Sequence, residues 1–149
     1  MSKTRSSFFV ALPRRHVLAA RPVVSLKQLR DEGWIVGAAP RPGAIETACL
    51  EAGFAPRIVA TADDQPTIQA LVAGGVAVTL IPDLATAAVS KEIALRPLRS
   101  APTRRVSIFT LALATPMPSI EAFVDELQVV GAKSARLGAD ELQASHFRR

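Results

Sequence analysis

The stretch AGFAPRIVATADDQPTIQALVAGGVAVTLIP, residues 52–82, decides the fold class of this chain. Gly53 closes an amphipathic run and suits a helix C-cap, where φ above zero is often needed. Pro56 forbids any continuation of that helix. Residues 57–61, RIVAT, form a β-branched run that ends at Ala62-Asp63-Asp64. Ile68, Leu71 and Val72 then recur at i, i+3 and i+4, which is one face of a helix. Gly74-Gly75 stop that helix. Residues 76–81 follow as an almost continuous apolar run, which predicts a parallel strand buried on both faces. The whole is a β-α-β unit with carboxylates where the first strand meets the helix N-terminus.

Outward from this unit the same alternation continues. Residues 1–7 are polar and are expected to fray. Residues 8–12 read as a strand ended by Pro13, and 14–21 as a loop or helical turn. Ser25 is a plausible N-cap for a short helix over 26–30. Residues 34–36 form a strand, 38–43 a Pro- and Gly-rich loop, and 44–52 a helix. A short helix is expected over 83–89, with strands over 93–98 and 104–114. Ser119 can cap a last helix whose apolar stripe is Ile120, Phe123, Val124 and Leu127. From Gly131 onward the chain reads as a fraying helix or a disordered tail. Short strands alternating with helices predict an α/β fold, a mixed sheet with flanking helices.

Composition narrows the function. At 49% hydrophobic residues the 149-residue chain can bury a core. No apolar stretch reaches the roughly 20 residues that span a bilayer, so no membrane association is expected. The single cysteine, Cys49, offers no internal disulfide and fits a cytoplasmic setting. The net charge of +5 raises the question of nucleic acid. The basic residues are scattered pairs such as Arg14-Arg15 and Arg104-Arg105, with no aromatic interleaving. A solvated, mildly basic surface explains them better than direct DNA contact.

The ordered pieces resemble the effector-binding domain of LysR-type transcriptional regulators. They are Leu12-Pro13, His16, Leu18-Ala19, Val24-Ser25-Leu26, Leu29 and Trp34-Ile35. The series continues with Ala52-Gly53-Phe54 and Pro56, Asp63-Asp64, residues 69–73 with Gly75, and Leu80-Ile81-Pro82. The resemblance runs from about residue 8 to 130. Val17 and Ala77 depart from it, standing where the family commonly has Pro and Gly. It implies a periplasmic-binding-protein-like fold of two α/β lobes, the second complete and the first partial. Residues 14–99 would be the second lobe, 1–13 the entering segment and first-lobe strand, 100–130 the return to the first lobe, and 131–149 a flexible tail. It also implies a small-molecule effector, a homo-oligomer, and DNA contact only through a helix-turn-helix domain absent from this chain. The unpaired edges of a partial lobe point the same way, to self-association through helix 44–52 and strand 57–61.

The chemistry-bearing residues give three readings. The best candidate site is the loop after the strand at 34–36, because free helix N–H groups and the helix dipole attract anions there. By match to the family, Pro40, Arg41, Pro42, Gly43 and Ala44 would face the ligand, with Thr61 at the end of the next strand and Ser107 near the return to the first lobe. The expected ligand is a small anionic metabolite, and a plain connector is the competing reading. No cofactor and no metal site is expected, since one Cys and two distant His lack ligand spacing. A small α/β enzyme acting on an anionic metabolite through His16, Cys49 or Asp64 is the alternative. Asp63-Asp64 are better explained as caps, and Cys49 and His16 as structural residues. A ligand-free oligomerisation module is the third reading.

Overall fold

The computed structural model describes residues 3–38, 43–110 and 117–144, with side chains described for 6–38, 43–110 and 117–132. The chain divides into two compact units, residues 8–102 and residues 1–7 with 103–149.

In the first of these, the carboxyl half of β1 (Lys3–Pro13) lies between β4 (Thr79–Pro82) and β5 (Ile93–Pro97), antiparallel to both. Phe8 faces Pro82 in register, and Phe9 faces Ile81 on one side and Pro97 on the other. β2 (Gly33–Val36) and β3 (Arg57–Thr61) pair in parallel. A parallel bridge from Trp34 to Val78 joins β2 to the start of β4. The Ile35 N–H donates to Val78 O at 3.0 Å, and the Val78 N–H donates to Gly33 O at 2.8 Å.

The run 76–81 therefore differs from the parallel strand its apolar content predicts. Val78 pairs in parallel, but residues 79–82 run antiparallel to β1, and Val76 is exposed. A strand buried on both faces carries the same apolar residues whichever way its neighbour runs.

Alternation along the strands builds two cores on opposite faces. Val10, Leu12, Trp34 and Leu80 pack with Leu26, Leu29, Ala48 and Cys49. Ala11, Ile35, Ile81 and Ile93 pack with Val72. The first core is roofed by α1 (Ala44–Glu51) and the 3-10 turn Leu26–Leu29, the second by α2 (Gln65–Ala73). This is a helix–sheet–helix sandwich, as the alternating elements predict.

Both long helices of this unit end alike. Gly53 has φ +90° and Gly75 φ +74°. The next residues close the motif, Phe54 N–H donating to Cys49 O and Val76 N–H to Leu71 O, each at 3.0 Å. A different glycine answers a close approach. The β2–β3 register skips Val59, and a Cβ at Gly33 would stand 3.0 Å from a Val59 methyl.

In the other unit, residues 3–7 of β1 pair antiparallel with β6 (Thr103–Ser107), Lys3 facing Ser107. α3 (Pro118–Ala144) follows. Three expectations are corrected here. Residues 3–7 form a paired strand rather than a frayed end. β6 stops at Ser107, residues 108–110 are irregular, and 111–116 lie outside the described residues. The helix begins at Pro118, so Ser119 is inside it. The N–H groups of Ile120 and Glu121 both reach Met117 O, at 2.9 and 3.2 Å. Proline is preorganised for a first helical position, which sets the start one residue early. The helix also continues through Gly131 to Ala144, and the stripe residues Ile120, Phe123 and Leu127 are exposed.

Candidate functional site

β2 and β3 run in parallel, so their carboxyl ends lie together, with Val36 opposite Thr61 in register. The Ala62 N–H donates to Val36 O at 3.1 Å and extends the pairing one residue further. The chain leaving β2 is then held by a side chain from the segment leaving β3. The Ala38 N–H donates to Asp63 Oδ1 at 2.8 Å. The neighbouring Asp64 caps α2, its Oδ1 accepting from the Thr67 N–H at 2.8 Å. The Thr67 backbone and hydroxyl hold the Asp64 carboxyl below its ordinary value. The two adjacent acids thus divide into a loop clamp and a helix cap.

Of the predicted site residues, Pro40, Arg41 and Pro42 lie outside the described residues, as does Ala39. Gly43 precedes the first turn of α1 and Ala44 opens it. Thr61 is exposed at the end of β3. The described part of the candidate site is therefore the rim formed by Ala38, Gly43, Ala44, Thr61 and Asp63. Ser107 ends β6 in the other unit.

One residue absent from the sequence reading changes the electrostatics of this rim. The Gly43 N–H donates to Glu46 Oε2 at 3.0 Å. An acid at the third helical position takes one of the free donors of the helix N-terminus and places a negative charge beside it. The spacing Gly-x-x-Glu over 43–46 is the signal for this. With the Gly43 N–H taken, α1 has fewer free donors at its N-terminus than helix geometry alone supplies.

The residues of the enzyme alternative are engaged elsewhere. His16 Nδ1 accepts from the Leu18 N–H at 3.1 Å, which leaves Nε2 to donate to Glu32 Oε1 at 3.1 Å. Its ring pins the turn Val17–Ala20 to the segment after the next turn. Cys49 is fully buried in the first core. Burial, and secondarily the Glu46 carboxylate, pushes its thiol up to about 11. That is the setting of an inert thiol. Among the described residues no group of three or more His, Cys, Asp or Glu could hold a metal ion. No helix among the described residues is long and apolar enough to cross a membrane. A cavity of about 640 Å³ opens in the same unit, but none of its lining residues belongs to the predicted site.

Comparison with known proteins agrees with this architecture. The model of the LysR substrate binding domain family matches residues 4–131. The transcriptional dual regulator GltC of Bacillus subtilis is 36% identical over 78 residues, 50% of this chain and 26% of that protein. The chain thus spans about a quarter of that relative's length. The effector binding domain of QuiR in complex with shikimate superposes with a TM-score of 0.65 at 18% identity, covering 87% of this chain and 63% of that one. The BenM effector binding domain with benzoate gives 0.58 at 19% identity, covering 70% and 52%. These two likenesses establish the fold, that of the periplasmic-binding-protein-like effector domains. By the match over residues 4–131, the chain belongs to the LysR substrate binding domain family.

Proposed function

We propose that this chain is the ligand-sensing part of a LysR-type transcriptional regulator and that it binds a small organic anion at the carboxyl ends of β2 and β3. The binding residues in this reading are Pro40, Arg41, Pro42, Gly43, Ala44 and Thr61, all in the unit 8–102. Residues 14–99 act as the second lobe and the flanking segments as part of the first. The observation that carries the reading is the rim itself. Two parallel strands end side by side, and a loop with one cation leads from one of them to a helix N-terminus. Ligands of open α/β sheets collect at such carboxyl ends. QuiR and BenM, which share the fold, are solved with shikimate and benzoate, both carboxylic acids.

Binding without catalysis fits the engagement of His16 with Glu32 and the burial of Cys49. In this reading the protein works in the cytoplasm as a homo-oligomer, and DNA contact belongs to a helix-turn-helix domain rather than to the effector-binding fold. Exposed Ile58 and Val59 on β3 and Leu50 on α1 supply the apolar surface for self-association.

Calorimetric titration with benzoate and shikimate tests the site. Affinity in the millimolar range is expected, about 4 kcal/mol. Arg41→Ala weakens it about tenfold, the loss of one charge-assisted contact. Arg148→Ala, remote in sequence, leaves it unchanged. Equal affinity in wild type and Arg41→Ala reduces the loop to a connector. A single species at monomer mass in sedimentation at micromolar concentration removes the oligomer from the proposal.

A further inference from the structure

A groove on the far side of α1 from its N-terminus combines free cations with an apolar floor. The cavity of about 640 Å³ is walled by Lys27, Glu51 and Arg99 over Leu26, Ala48 and Ala101. A second cavity of about 230 Å³ is walled by Lys27, Arg30, Ala52 and Phe54. The two share Lys27 and Ala52, so they adjoin. All these residues lie in the unit 8–102. The ion pair between His16 and Glu32 involves none of them, and among the described residues no acid is within ion-pair distance of Lys27, Arg30 or Arg99. The three cations are exposed side chains, with Arg99 in one cavity, Arg30 in the other and Lys27 in both.

We propose that this groove is a second ligand site, built for an extended dicarboxylate with a short apolar middle. The volume of the larger cavity is that of small-molecule sites, which run to several hundred Å³. A phosphate monoester concentrates its charge at one point, whereas these cations are distributed over two adjoining cavities. A molecule with a carboxylate at each end places one at Arg99 and the other at Arg30, with Lys27 between them. The guanidinium fork suits a carboxylate at each end. The methylene chain lies on Leu26, Ala48 and Ala52. Glu51 is the acid in the larger cavity, and it selects against a third negative charge.

The test is an amide-resolved NMR titration of the full 149-residue chain with adipate, beside acetate and uncharged 1,6-hexanediol. Adipate shifts the amides of Lys27, Ala52, Gly53, Arg99 and Ala101 saturably. Lys27→Ala and Arg99→Ala each raise its Kd about tenfold, and Arg30→Ala raises it by a similar factor. Glu51→Gln lowers it. These side chains are exposed, so circular dichroism of the variants stays that of the wild type. The site stands apart from the effector loop, and Arg41→Ala leaves it intact. Saturable shifts confined to Gly43, Ala44 and Thr61 would place adipate in the effector loop and overturn the proposal. So would acetate binding as tightly as adipate, or no saturable shift at the groove amides.

Discussion

Replacing Cys49 by alanine isolates what a buried thiol contributes at high pH. Cys49 is fully buried, and its thiol is pushed from 9.0 in the unfolded reference to about 11 in the fold. Burial is the main cause and Glu46 the second. Well below both values the native chain therefore carries about a hundredfold less thiolate than the unfolded chain. Labelling by a disulfide reagent at pH 7.5 should be at least that much slower in buffer than in denaturant, because the reagent must also reach the core. The same difference sets a linkage. The fold prefers the neutral thiol, so this contribution is fully present below pH 9. It is lost progressively as pH rises through about 11, a change of about 3 kcal/mol across the window. Denaturant titrations of wild type and Cys49→Ala at a series of pH values between 8 and 11 give the contribution as a difference, which cancels the titration of lysines common to both. The alanine variant loses some core packing at every pH, but the gap to wild type should narrow as pH rises. A gap independent of pH, or native labelling as fast as in denaturant, refutes the account of Cys49 as a packed, neutral core residue.

Three other perturbations address separate parts of the fold. Thr79→Val removes a buried hydroxyl that donates to Ile35 O at 2.9 Å across the β2–β4 junction. Denaturation should show a loss of about 1–3 kcal/mol, since the carbonyl is left without its donor. Asp64→Ala removes the cap on α2 and should lower the thermal midpoint, while Asp64→Asn keeps most of it. Because the fold holds the Asp64 carboxyl below its ordinary value, its contribution is present above the ordinary carboxylate range and fades as pH falls through the depressed value; the Asn variant should lack that acid dependence. Trp34, the one tryptophan of the chain, is fully buried against Phe54 with ring centroids 6.5 Å apart. Its emission should be blue-shifted and resistant to iodide until unfolding, and Trp34→Ala should cost about 3–5 kcal/mol by denaturant titration.

Legibility in the sequence followed the range of the interaction. α2 was readable to within a few residues because its start and stop are local: Asp64 caps Thr67 three residues on, and Gly75 supplies the positive φ that ends it. The same holds for Gly53 at the end of α1. The pairing of β4 was not readable, because Val78 and Thr79 are chemically alike in either direction and their partners, Trp34 and Ala11, are distant in the chain. Residues 3–7 offered no apolar pattern, and only pairing with β6 makes them a strand. At the site, composition marked the loop between β2 and α1 and Thr61 at the end of the next strand, but that Thr61 stands opposite Val36 follows only from the parallel pairing of β2 with β3. The side-chain bonds that shape its rim, Asp63 to Ala38 and Glu46 to Gly43, escaped that reading. One joins residues remote in sequence, and the other lay in a capping spacing read only as a helix start.

The placement of β1 has a consequence for the nascent chain. Its Val10 and Leu12 are fully buried, yet the strands that bury them, β4 and β5, are among the last parts of their unit to be synthesised. Phe9 meets Ile81 and Pro97 only when most of the chain has left the ribosome. Local elements such as α2 can form early, but the central strand stays an unpaired apolar ribbon until its partners emerge. Loop closure over that length makes the sheet slow to assemble. During that wait the ribbon is the segment most open to aggregation and to capture by chaperones.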